Sequence, residues 1–290
     1  MIDRRALLAA GGAVFAGGGA RAVGARTVAA PSVTRLRVAG DRLFVPVTIN
    51  GIAVEALLDS AAETSIVDTA FAATLRLTGG EAATARGTGA ATAAATLVTG
   101  VTLDVAGLRL HPREVAVIDL SDIARRLGNG PIRLILGREI FDATALAIDI
   151  EGATLAVVPP GPHPGQRLPL IARRGIEQVP VTVEGIAATA DFDLGNGGTV
   201  LIGAAFAARH GLLDGRDTRS IGGGGIGGAT RQINFILRSI EVAGVRLNDL
   251  PAAIDASATA SDANIGVRLL RRFGIVTDFA ARAVWLDDRG

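Results

Sequence analysis

A chain of 290 residues, about half of them apolar, is long enough to fill one large core or two ordinary ones. Its formal net charge of +1 provides no field to gather nucleic acid or an anionic membrane surface. The absence of cysteine excludes disulfides, thiolate metal sites and a cysteine nucleophile, and His111, His163 and His210 sit at no spacing that pairs two of them as zinc ligands, so neither metal nor cofactor is expected.

The chain opens with Arg4-Arg5, followed by the mild, glycine-rich apolar run Ala9 to Gly18 and the small-x-small pattern Ala20-Arg21-Ala22. This run is too short for a comfortable membrane span and resembles a bacterial twin-arginine export signal. Residues 1–30 are therefore assigned to a signal and the start of the mature chain, and the expected location is periplasmic or secreted, with no stable membrane association after signal removal.

Leu43 to Ile49 alternates as a strand should, Asn50-Gly51 supplies a hairpin turn, and Ile52 to Leu58 returns and ends at Asp59-Ser60-Ala61. Ser65-Ile66-Val67 predicts another strand, and Thr69 to Leu75 a short helix. Gly79 to Gly100 is almost entirely Gly, Ala and Thr around Gly87-Thr88-Gly89, a stretch that buries little and bends easily. Strands follow over Val101 to Leu110 and Glu114 to Ile118. After the turn-rich break Gly128 to Pro131, Leu134-Ile135-Leu136-Gly137 forms a further strand.

Pro159 to Gly165 can neither continue a helix nor run centrally in a sheet, so residues 159–167 are read as a linker between units at 35–158 and 168–290. The second unit repeats the first. Val179-Pro180-Val181-Thr182 lies 134 residues after Val45-Pro46-Val47-Thr48, and Asp193 lies 134 after Asp59. Gly266, in Asn264-Ile265-Gly266, lies 129 after Gly137. The glycine-rich stretch Ser220 to Gly228 contains a G-x-G-x-x-G match at Gly223, Gly225 and Gly228. It has neither the preceding apolar strand nor the following helix of a dinucleotide site, so a flap is the better reading.

Two copies, each with a strand-end aspartate near its start and an apolar-apolar-Gly near its end, resemble the lobes of aspartic proteases of the retropepsin and pepsin type. The resemblance implies an all-β fold of two similar lobes about a pseudo-twofold axis, with short helices. It implies an aspartic endopeptidase with Asp59 and Asp193 as catalytic dyad, supported by Ser60, Ala61, Gly195, Gly137 and Gly266. Hairpin flaps carrying Gly87, Gly89, Gly225 and Ile226 would cover a peptide or protein substrate, in a monomer. It further implies an ion pair between Glu63 and Arg138, whose counterparts in the second lobe are Gly197 and Val267.

The family prefers Asp, then Thr or Ser, then Gly. Here Asp59-Ser60-Ala61 and Asp193-Leu194-Gly195 each depart once. Ser60 keeps a hydroxyl that can grip the opposite lobe and Leu194 does not, so the grip is expected to be one-sided. These departures leave a second possibility, a catalytically dead relative that binds a peptide or envelope component in the same cleft. A third is an inert structural module.

Overall fold

The computed structural model describes residues 33–290 apart from 88, 90 and 129; the export-signal assignment lies outside them. Strands dominate, with five short helices among the described residues. They form three sheets, of ten, eight and six strands.

The hairpins are set by local turn chemistry. Asn50 (φ 47°) and Gly51 (φ 83°) are both left-handed, the conformation that matches the twist of a two-residue hairpin, and Glu184 (φ 50°) and Gly185 (φ 84°) repeat it. In the ten-stranded sheet, Ile52–Leu58 pairs antiparallel with Arg42–Ile49 and parallel with Leu134–Leu136, placing Leu58 opposite Leu136. In the eight-stranded sheet, Ile186–Asp193 does the same between Ile176–Val183 and Ala263–Gly266, placing Phe192 opposite Ile265. Leu58 and Phe192 differ by 134 positions and Leu136 and Ile265 by 129, so the sequence repeat is also a repeat of register.

Each lobe then adds a strand and a short helix. Ile66–Asp68 leads into Thr69–Thr74, with the Asp68 carboxylate accepting from the Ala70 and Phe71 amides at the helix start. Val200–Gly203 leads into Ala204–Arg209. Phe71 and Phe206 anchor these helices in the core. The outer strands separate in the first lobe but fuse in the second, where Gly228–Val242 and Val245–Asp255 each span what the first lobe builds from two strands.

The six-stranded sheet joins the halves, running Val33–Arg35, Thr154–Val158, Ala145–Asp149, Phe273–Asp278, Ala283–Asp288 and Gln166–Pro169. Gln166 and Arg167, assigned to the linker from sequence, belong to its edge strand. An edge tolerates the neighbouring proline because half its backbone groups need no sheet partner. One apolar cluster, from Leu43 through Phe192 to Leu286, runs through both lobes and this sheet. A second cluster, built on Phe44, Leu57, Ile66, Ile118 and Ile135, lies on the opposite face of the first lobe's sheet.

Candidate active site

Each aspartate sits where its strand leaves the sheet, in a loop that turns back on its own carboxylate. Asp59 Oδ1 accepts from the amides of Ala61 (2.9 Å) and Ala62 (3.1 Å). Asp193 Oδ1 accepts from those of Gly195 (2.9 Å) and Asn196 (3.0 Å).

Gly137, which follows the strand Leu134–Leu136, and Gly266, which ends the strand Ala263–Gly266, pass directly beneath the loops. A Cβ on Gly137 would lie 2.7 Å from the carbonyl carbon of Thr64, and one on Gly266 would overlap the carbonyl of Asn196. The following amides tie strand to loop, Arg138 N to Ala62 O at 3.0 Å and Val267 N to Asn196 O at 2.8 Å.

The two loops meet across the lobe boundary. Ser60, 2% exposed, donates its hydroxyl to the carbonyl of Phe192 (2.7 Å) and accepts from the amide of Leu194 (2.9 Å). Leu194 is wholly buried and has no hydroxyl to return the bond, so the grip is one-sided. The backbone of Gly195 packs against the Asp59 carboxylate, where a side-chain carbon would collide with it. Glycine is required there by close approach.

Asp59 and Asp193 are each half-buried residues, with protein packed around their carboxyls. Burial and the charge of Asp193 push Asp59 up to about 7, against the pull of the Ala61 and Ala62 amides. Burial also raises Asp193, opposed first by a hydrogen bond from the Asn264 side chain. Asn264 Nδ2 donates to Asp193 Oδ2 at 2.8 Å, and Asn196 Nδ2 donates to Asn264 Oδ1 at 2.7 Å, fixing that amide. Ile135 and Ala62 hold the matching places in the first lobe, so Asp59 has no such donor.

The second-lobe hairpin of Arg219–Gly225 and Gly228–Val242 touches the first lobe's glycine-rich segment. Gly89 N donates to Ile226 O (3.0 Å) and Ala91 N to Gly227 O (2.9 Å). Gly87 also lies against Ile226. Ile226 packs into the first lobe's second apolar cluster, and Arg126 donates to Gly225 O at 3.0 Å.

One expected contact is absent. Glu63 and Arg138 are not within salt-bridge reach. Arg138 binds Asp142 (2.8 Å), Glu177 (3.4 Å) and the Gly175 carbonyl (3.0 Å), while the Glu63 carboxyl lies against the Cα of Gly175. The guanidinium is drawn instead to Asp142, one helical turn ahead, and to the buried Glu177 of the other lobe. Burial raises Glu63, and Arg138 acts on it only through space. The acidic residue that bonds the loop is Glu139, which accepts from Thr64, Ser65 N and Ser65 Oγ at 2.7–2.8 Å.

Residues 45–140 match the family model described as aspartyl protease. Over these residues the first lobe is similar to an aspartyl protease domain. The match takes in Asp59, its loop and the strand beneath it, and covers about a third of the chain. The second lobe lies outside the match and is related to the matched segment by the repeat of sequence and register described above. No curated protein matches the chain.

Proposed function

We propose that the protein is an exported aspartic endopeptidase in which Asp59 and Asp193 share one proton and activate water against a peptide bond held beneath the two flaps. The observation that carries this is the meeting of the loops: Ser60 grips the backbone on both sides of Asp193, and Gly195 rests on the carboxylate of Asp59.

Two carboxyls in mutual reach resist double ionisation, so the pair retains a proton over a broad pH range. Asn264 favours the ionised form of Asp193, and the proton stays on Asp59. Asp193 then takes a proton from water as the water oxygen bonds to the carbonyl carbon. Asp59 gives its proton to the carbonyl oxygen. In collapse, Asp193 returns its proton to the departing nitrogen, Asp59 recovers one from the diol, and the C–N bond breaks. No metal or covalent nucleophile enters the sequence.

The mature protein, assayed on a peptide mixture between about pH 4 and 7, should cleave, and Asp59→Asn and Asp193→Asn should each lose at least a thousandfold in kcat/KM. Cleavage that persists in both variants contradicts these roles. Binding without cleavage in the parent favours the non-catalytic alternative, to which Ala61 and Leu194 lend weight. Export predicts mature protein outside the inner membrane with an amino terminus near Val23, readable by fractionation and terminal sequencing.

A further inference from the structure

The two lobes build the same sheet, but not the same sheet face beside the aspartate. Two residues before each aspartate, about 7 Å along the strand and on the same face as the carboxyl, a row of directly paired residues crosses each sheet. In the first lobe the row is Phe44, Leu57, Ile135, Ile66, Ala116 and Leu97. In the second it is Gln178, Asp191, Asn264, Leu201, Ala253 and Asn234. Four of six apolar positions have become polar.

The change is confined to that face. One residue along, on the core side, Val45, Ala56, Leu134 and Val67 in the first lobe face Val179, Ala190, Ala263 and Ile202 in the second, apolar throughout. Folding therefore does not call for the polar row, since the first lobe makes the same pairings without it and buried polar groups cost stability.

The polar groups are only partly satisfied by one another. Gln178 Nε2 and Ser261 Oγ both donate to Asp191 Oδ1, each at 2.7 Å, leaving these bonds all on one oxygen of a carboxylate 9% exposed. Asn234 Oδ1 is buried without a partner, as is Thr230 Oγ1, four residues earlier on the same face of the same strand. Asp255 adds a second negative charge that acts on Asp191, and the exposed Arg173 acts on it from a distance without a salt bridge. Acceptors without donors and a carboxylate without a bound cation define what is missing: a positive group bearing several N–H donors.

We propose that the second lobe's side of the cleft is a specificity site for a long basic side chain, arginine or lysine, of a peptide whose residue on the first lobe's side is apolar. Asp191 is the charge that selects it, held in orientation by Gln178 and Ser261. The inference rests on the cleft binding peptide, and not on the dyad being active.

The test uses the Asp59→Asn protein, which separates binding from cleavage, with fluorescent octapeptides varied at one central position through Arg, Lys, Gln, Leu and Glu beside a fixed leucine. Anisotropy should rank Arg and Lys at least tenfold above Leu, with Glu weakest. Adding Asp191→Leu, the residue of the first lobe, should erase that preference and leave the leucine peptide's affinity within about twofold. Gln178→Phe with Asp191→Leu restores the whole first-lobe pair and serves if the single change impairs folding. No preference for a basic residue, or a preference that survives both variants, overturns the proposal, as does failure of every peptide to bind. A basic preference in binding without cleavage by the parent upholds it while refuting the dyad.

Discussion

In the proposed dyad, a hydrogen bond donated to one carboxyl decides which of the two ionises first, and Asn264 makes that bond to Asp193 alone. Asn264→Leu deletes the donor while keeping the side chain's bulk, so Asp193 becomes harder to ionise. The acidic limb of kcat/KM against pH should move up by roughly one to two pH units, the worth of one hydrogen bond to a charge. A purely structural loss would lower activity evenly at every pH, and that flat profile would refute the role. The two aspartates could be read from sequence because each ends a predicted strand and the strands repeat at a fixed offset. Asn264 was visible as the polar residue standing where the first lobe has Ile135, but its role was not, because only the parallel pairing with the Asp193 strand aims its amide at that carboxyl. Glu63 and Arg138 failed for the same kind of reason: Arg138 answers to Glu177 and Gly175, more than thirty residues away in the other lobe.

Among elements, the hairpins were the easiest to read, since Asn50-Gly51 and Glu184-Gly185 carry their turn geometry in two residues. The helix Ser121–Leu127 was not read. It has no fully buried residue of its own, and its apolar side is completed by Ile226 from the other lobe's flap. That helix has no counterpart between Asp255 and Ala263, so it holds the second flap by means the first flap lacks. Arg126, anchored by Asp122 at 2.6 Å, donates to Gly225 O, and Ile226 packs on the same apolar cluster as Ile123 and Leu127. Arg126→Ala combined with Ile226→Gly should release the tip. The expected result is a several-fold rise in KM with a smaller fall in kcat, and faster amide exchange over residues 222–228 but not over the core strand Ile186–Asp193. Unchanged exchange at the tip would show that the backbone bonds from Gly89 and Ala91 suffice to hold it.

For the whole molecule, joining two lobes across one six-stranded sheet concentrates carboxyls where the halves meet. Asp59, Asp193, Asp191 and Glu63 are all raised above their ordinary range, with burial the leading cause in each. A carboxyl whose pKa is higher folded than unfolded contributes fully below the unfolded value, and that contribution is lost as pH rises through the folded one. For Asp59 the window runs from 3.8 to about 7, a step worth on the order of 4 kcal/mol. The folded protein should therefore lose stability to urea across this window. Asp59→Asn removes the charge and retains an oxygen to accept from Ala61 and Ala62. It should match the parent near pH 3.5 and exceed it by a few kcal/mol at pH 8, as active-site carboxyls trade stability for a proton held ready. Urea midpoints of the two proteins at both pH values decide the matter. Equal midpoints at pH 8 would mean that Asp59 is ionised without penalty and that no proton is stored between the lobes.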